Sequence, residues 1–188
     1  MSNFSVYFSL GLGHILNWAA LDHLLFILSL TCVYVATDYK KLLWLVTAFT
    51  LGHSITLALA TLQLIQVQMS WVEFLIPCTI LAAAISNLMQ TEQRYKYGVV
   101  AFFGLIHGLG FSNYLQSLLG AEGSLFTPLL AFNLGLELGQ IIVVSIVLVF
   151  TTLASPIFQW KQKTTLAVLS GITIGLVLPM IIERWPEK

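Results

Sequence analysis

LFTPLLAFNLGLELGQIIVVSIVLVFTTL, residues 125–153, carries a single charged side chain, Glu137. About 20 apolar residues in a row are enough for a helix to cross the hydrocarbon core of a membrane. The rest of the chain is similar, because 58% of its 188 residues are hydrophobic, 9% are charged and the net charge is zero. Since roughly a quarter of the residues of a soluble domain are charged, the chain is predicted to be an integral membrane protein.

Polar turns divide the chain into six predicted membrane spans. Their ranges are residues 4–36, 42–65, 71–89, 98–119, 125–153 and, after the polar residues 161–164, about 165–182. Backbone groups in lipid must be hydrogen-bonded within the segment, and the ten-residue alternation of a membrane β-barrel is absent, so the spans are predicted to be helical. With few long loops, residues 1–188 are predicted to form a single transmembrane domain, an all-α polytopic helical bundle.

The first apolar stretch is too long for one straight span. A helix over residues 4–36 would reach about 50 Å, against a hydrocarbon core of about 30 Å. We therefore expect a break at Gly11, Gly13 or Asn17, with a short interfacial or re-entrant half helix before it and the span itself beginning near Trp18. A cleaved signal peptide is the alternative, but the stretch lacks a basic start and a small-residue cleavage pattern.

Cationic side chains predict the orientation of the bundle. They fall in alternate loops between the predicted spans: Lys40, Lys41, Arg94, Lys96, Lys161 and Lys163. By the positive-inside rule these loops are cytoplasmic, so both termini face the periplasm if the protein lies in a bacterial inner membrane. There is no basic patch beyond these loops, and nucleic acid is therefore not an expected partner.

Ionisable residues inside the apolar segments indicate a functional site. All four histidines lie there together with two carboxylates: His14, His23, His53, His107, Asp22 and Glu137. Because charged groups at membrane depth are costly, they usually face one another across a polar site. We therefore expect these six residues to share one site.

Two spans also carry polar residues at helical spacing. Thr50 and Thr56 lie three residues on either side of His53, so their hydroxyls are expected to face the same way and to orient its imidazole. The fifth span has a polar stripe at positions i, i+4 and i+7, formed by Asn133, Glu137 and Gln140. These residues are predicted to support the site rather than to face lipid.

Five blocks of sequence follow one another in a specific order. They are GHIL leading to LDHLLF within residues 13–26, FTLGHSIT at 49–56, VEFLI at 72–76, FGLIHGLGF at 103–111 and FNLGLELGQ at 132–140. In order and placement these blocks resemble the HupE/UreJ family. The resemblance covers most of residues 13–140, and it implies a secondary metal permease associated with supplying nickel, and sometimes cobalt, to hydrogenase and urease.

The chemistry of the candidate residues agrees with a metal site. Imidazole and carboxylate ligands suit divalent nickel, cobalt or zinc, whereas the lack of Cys and Met clusters argues against copper(I). The predicted metal ligands are Asp22, His23, His53, His107, Glu137 and His14. Thr50, Thr56, Asn133 and Gln140 are predicted to lie around them, with the site between spans one, two, four and five, from mid-membrane to the outer half.

Three functions are compatible with such a site. The leading prediction is a nickel/cobalt permease of HupE/UreJ type, in which Asp22 or Glu137 offsets the charge of the ion. The alternative is an intramembrane zinc-dependent hydrolase near the outer leaflet, with Glu137 as the base that activates a zinc-bound water. A metal-sensing or accessory subunit is the third. The sequence does not decide which metal is bound or whether Glu73 belongs to the site. It also does not decide whether the chain forms a homo-oligomer in the lipid bilayer.

Overall fold

The computed structural model describes residues 3–18, 21–89, 97–119, 125–158 and 161–186. Helices account for most of these ranges, and no β-strand occurs in them. The α-helices within the described ranges are α1 Asn3–Leu16, α2 Leu21–Thr31, α3 Tyr39–Thr61, α4 Met69–Leu88, α5 Tyr97–Gly110, α6 Ser112–Leu119, α7 Phe126–Phe158 and α8 Gln162–Glu183. The predicted all-α helical bundle is confirmed.

The helices differ in whether they could cross a membrane alone. α3, α4, α7 and α8 are each long and apolar enough to do so. The other four form two bent pairs, because α1 and α2 meet at 68° and α5 and α6 meet at 48°. The described part of the chain therefore contains four candidate spans, or up to six if each bent pair is one span.

The first bend lies close to one of the predicted positions. α1 runs through Gly11 and Gly13 and ends at Leu16, so the break comes at Asn17 and not at either glycine. The segment after the break differs from the expected full span beginning near Trp18, since α2 begins at Leu21 and has 11 residues. At about 1.5 Å per residue, neither α1 nor α2 alone matches a hydrocarbon core of about 30 Å. The first apolar stretch is therefore divided between two short helices.

The second bend was not predicted. Residues 98–119 were expected to form one span, but α5 ends at Gly110 and α6 begins at Ser112. Phe111, between them, is apolar, but Gly110 precedes it and the polar residues Ser112 and Asn113 follow it, so turn-forming residues flank the break within an otherwise apolar segment. The consequence is that a second helix ends inside the bundle, one turn after His107.

Glycines bring α3 and α5 into backbone contact. A Cβ added to Gly104 would overlap the carbonyl oxygen of Phe49. One added to Gly108 would overlap the carbonyl oxygen of His53. Small residues that let two backbones touch are a common basis of helix packing in membranes. This contact fixes the position of His53 relative to α5.

α1 and α7 are joined in the same manner. A Cβ on Gly11 would overlap the carbonyl oxygen of Phe132, and a Cβ on Gly135 would overlap that of Phe8. Further along, Gly139 lies against Ile15. Residue numbers therefore rise together along the contact, so the two helices run in the same direction.

Polar contacts mark the two ends of the bundle. At one end, which we call the Asp38 end, Lys41 pairs with Asp38 at 2.7 Å. Helix α8 begins near this end, because the Gln162 side chain lies 3.4 Å from the carbonyl oxygen of Val33. The opposite end, where α8 finishes, is called the Arg184 end. Two cations used to predict orientation, Arg94 and Lys96, lie outside the described residues.

Candidate metal centre

The four histidines come together although each belongs to a different helix. They occupy the last turn of α1, the first turn of α2, the middle of α3 and the last turn of α5, at His14, His23, His53 and His107 respectively. The ring centroid of His23 lies 4.5 Å from that of His14, 5.4 Å from that of His107 and 6.2 Å from that of His53. The histidines therefore form one cluster around His23.

Three of these rings could bind a single ion. His14, His23 and His53 each offer a nitrogen, and these nitrogens all lie within 4.8 Å of one another. Metal–nitrogen bonds of about 2.0–2.1 Å place two ligands of one ion at most about 4.2 Å apart. Side-chain shifts of less than about 1 Å would therefore bring the three nitrogens to bonding distance.

The buried ring nitrogens of the cluster lack protein partners. His53 is fully buried and His23 is 6% exposed, yet neither nitrogen of either ring has a hydrogen-bond partner. The Nε2 atoms of His14 and His107 are also buried without a hydrogen-bond partner. An unsatisfied buried polar atom costs about 1–3 kcal/mol. Such atoms are rare in native proteins, and each neutral ring has one nitrogen whose lone pair is free to bind a metal ion.

His107 is oriented as a metal-binding histidine usually is. Its Nδ1 lies 2.8 Å from the carbonyl oxygen of Phe103. A carbonyl oxygen can only accept, so Nδ1 carries the hydrogen and donates it, and Nε2 keeps its lone pair. Metal-bound histidines commonly donate their second N–H to a carbonyl or carboxylate in this way.

Aromatic rings surround the cluster. Phe111 lies 4.3 Å from His14 between ring centroids, and Phe26 and Phe49 each lie 5.2 Å from His107. Phe26 and Phe49 are each 1% exposed. This apolar wall keeps water away from one side of the histidines and strengthens electrostatic interactions with any ion bound there.

Helix ends add their own partial charges. α1 and α5 both finish close to the cluster, with His14 and His107 in their last turns. The free carbonyl groups of a helix C-terminus amount to roughly half a negative charge and favour a cation. α2 begins at the same place with the opposite polarity, and Asp22 in its first turn offsets that positive end.

A cavity of about 290 Å³ lies beside the cluster. Its lining includes three of the histidines and three charged residues, namely Asp22, Glu73 and Arg184. Asp22, predicted as a ligand, is held by Arg184 with Nη1–Oδ2 and Nη2–Oδ1 distances of 2.8 and 3.4 Å. Glu73, for which the sequence did not decide a role, lines the same cavity.

Glu137 and Gln140 lie against α3, on the Asp38 side of His53. The hydroxyl of Thr47 donates to Glu137 Oε1 at 2.6 Å, and that of Thr50 donates to Gln140 Oε1 at 2.7 Å. Glu137 is thus not part of the three-nitrogen set formed by the histidines.

Thr50 and Thr56 do not orient His53 by hydrogen bonds, contrary to the expectation from their spacing. The Thr56 hydroxyl lies 2.7 Å from the carbonyl oxygen of Leu105 on α5, and the Thr50 hydroxyl is used by α7. Asn133 donates to the carbonyl oxygen of Leu129 within its own helix, while its Oδ1 is buried without a partner. The hydroxyls therefore join helices rather than support the ring.

Sequence reasoning missed two partners of the candidate residues. Arg184 pairs with Asp22 across 162 positions, and Thr47 donates to Glu137 across 90 positions. Neither separation has a local pattern that could have indicated it. Both contacts depend on which helices pack together.

Comparison with known proteins identifies a family. A protein-family model described as "HupE / UreJ protein" matches residues 1–184 of the chain. No curated protein and no solved structure matches. The matched range includes every helix and every histidine described above.

Proposed function

Since the chain belongs to the HupE/UreJ family, membrane proteins related to nickel and cobalt handling, we propose that it is a secondary permease for Ni²⁺ or Co²⁺. The observation that carries the proposal is the set of three ring nitrogens within 4.8 Å of one another. The ring nitrogens of His23 and His53 are buried and have no hydrogen-bond partner in the protein.

The ligand chemistry suits passage rather than permanent capture. Imidazole binds nickel and cobalt well, but it contributes no negative charge as a neutral ligand. The two carboxylates predicted as ligands are each bonded to another side chain, Asp22 to Arg184 and Glu137 to Thr47. Conduction requires a site that binds strongly enough to admit an ion and weakly enough to release it.

Polar groups lie on both sides of the cluster, as a permease requires. Toward the Arg184 end is the cavity that contains Asp22 and Glu73. Toward the Asp38 end, Thr50 and Thr47 follow His53 along α3 at successive turns, each bonded to a polar side chain of α7. α7 thereby contributes the polar side chains between the cluster and the Asp38 end.

The position of Glu137 argues against it as the base of a hydrolase. A hydrolase of the kind considered needs a carboxylate beside the metal to activate the bound water. Glu137 instead accepts a hydrogen bond from Thr47, two turns of α3 away from His53. In the proposed orientation the Arg184 end faces the periplasm of a bacterial cell, and the ion moves inward toward the Asp38 end.

Nickel uptake into proteoliposomes tests this function. His53→Gln keeps a polar side chain of similar size but removes a ring nitrogen from the set, so we expect the rate of Ni²⁺ uptake to fall at least about tenfold. Ser54→Ala is the matched control on the next residue of α3, where the hydroxyl donates only to the carbonyl oxygen of Thr50.

Two results would contradict the proposal. Uptake by His53→Gln at the rate of the unmodified protein would show that the histidine cluster is not on the route. Absence of uptake by the unmodified protein, combined with one retained zinc ion per chain after purification, would favour the hydrolase instead.

A further inference from the structure

We infer that Arg184 is a built-in competitor for the metal ion, and that a divalent cation reaches the histidines by taking the Asp22 carboxylate from the Arg184 guanidinium. This inference rests on the proposed function. It adds a residue that selects the charge of the ion, which the histidines alone do not do.

The Arg184 guanidinium occupies the carboxylate oxygens of Asp22 that a metal ion would use. Two guanidinium nitrogens contact the two carboxylate oxygens, at 2.8 and 3.4 Å. The side chain of Asp22 is 14% exposed, so the carboxylate has few other sources of compensation for its charge. A partly buried carboxylate without a cation is costly. Any ion that uses Asp22 must therefore replace the charge that Arg184 provides.

Asp22 stands where an incoming ion would meet it before the cluster. It directly precedes His23, the histidine at the centre of the cluster, and lines the same cavity as His14 and His107. The described lining carries two negative side chains, Asp22 and Glu73, and the positive Arg184. If Arg184 left the pair, the two negative charges of Asp22 and Glu73 would balance the two positive charges of a divalent ion in the cavity.

Arg184 can leave without any helix moving. It is the first residue after α8, and its backbone N–H still bonds to the carbonyl oxygen of Met180 at 3.0 Å. Its side chain is 31% exposed, and long cationic side chains near helix ends readily extend to the membrane surface.

This competition discriminates between ions by charge. A sodium or potassium ion brings the same charge as the guanidinium but lacks its paired N–H donors, so it gains little by displacing Arg184. A nickel ion brings twice the charge and gains imidazole ligands from the adjacent histidines. The pair therefore keeps the cavity closed to abundant monovalent cations and opens it to a divalent ion.

Nickel affinity of the full chain in lipid nanodiscs, measured by isothermal titration calorimetry, tests the inference. Arg184→Gln removes the competitor, so we expect its Kd for Ni²⁺ to fall at least about tenfold. Arg184→Lys keeps the charge but loses the fork of donors, and we expect a smaller gain. Lys41→Gln removes the same charge from the pair with Asp38 at the other end of the bundle, and its affinity should be unchanged.

The role of Asp22 is measured by a double-mutant cycle. In a protein that already carries Asp22→Asn, no carboxylate remains to compete for, and the gain from Arg184→Gln should shrink to about threefold or less. The double variant buries no unpaired charge, so it also serves if Arg184→Gln alone fails to fold.

The outcomes separate this inference from the proposed function. If both the unmodified protein and Arg184→Gln bind nickel through His53 with equal affinity, the competitor role is wrong and the permease proposal stands. A lower affinity in Arg184→Gln would assign Arg184 a purely structural role and would also overturn the inference. If neither protein binds nickel, both proposals fail.

Discussion

Glu137 is a carboxylate inside a long apolar helix, and its partner Thr47 identifies what it does there. The Thr47 hydroxyl donates to it at 2.6 Å, on the Asp38 side of the histidine cluster. The carboxylate is thus bonded to α3 about two turns before His53, and it is not among the ligand atoms that lie together at His14, His23 and His53. It can lower the cost of moving a dication onward through low dielectric.

Glu137→Gln should therefore separate transport from binding. The amide still accepts the Thr47 hydrogen bond but carries no charge, so we expect Ni²⁺ uptake to fall at least about tenfold while the Kd for Ni²⁺ changes by less than about twofold. Uptake in proteoliposomes and calorimetry on the same protein measure the two quantities. Ser145→Ala, at an exposed position of α7 two turns later, is the control. Equal loss of binding and uptake would place Glu137 in the metal site instead.

At the scale of helices, the contact between α3 and α5 positions two of the four histidines. His53 lies on α3 and His107 lies on α5. Gly104, one turn before His107, lies against the backbone of α3. The backbone has no freedom to yield as a flexible side chain would. The spacing of the two rings therefore depends on the absence of a single methyl group.

Gly104→Ala should destabilise the bundle and disturb the site. The added Cβ would overlap the carbonyl oxygen of Phe49, so we expect a loss of about 1–3 kcal/mol or more in the free energy of unfolding. Gly175→Ala is the matched control, because a Cβ there meets nothing within 4 Å. Denaturant unfolding in detergent measures both. Equal stability of the two variants would mean that α3 and α5 do not touch as described.

For the whole molecule, the orientation in the membrane is testable with two cysteines. Gln66, in the connection between α3 and α4, and Lys163, at the start of α8, are both exposed and lie at opposite ends of the bundle. With Cys32 and Cys78 replaced by alanine, a membrane-impermeant maleimide should label Gln66→Cys in intact cells and label Lys163→Cys only after the membrane is opened. The reverse pattern would invert the predicted topology.

Hydropathy was sufficient to predict the helical class and most helix ranges, because the thickness of a bilayer sets the length of an apolar segment. It also located a bend near Asn17, since residues 4–36 could not span as one helix. The bend at Phe111 escaped prediction because Gly110, Ser112 and Asn113 were counted within one apolar span, although such residues favour turns. The convergence of four histidines was expected from the cost of burying them, but the partner of Asp22 was not, because only the packing of α8 brings Arg184 to it.

The glycine contacts have a mechanical consequence for the histidines. His14 belongs to the pair α1–α7, and His53 belongs to the pair α3–α5, and within each pair the backbones touch. Each pair therefore resists internal deformation, whereas the two pairs are joined to each other by side-chain hydrogen bonds from Thr47 and Thr50 to α7. An ion bound by both histidines would bridge the two pairs, so the position of one pair relative to the other would depend on whether the site holds an ion.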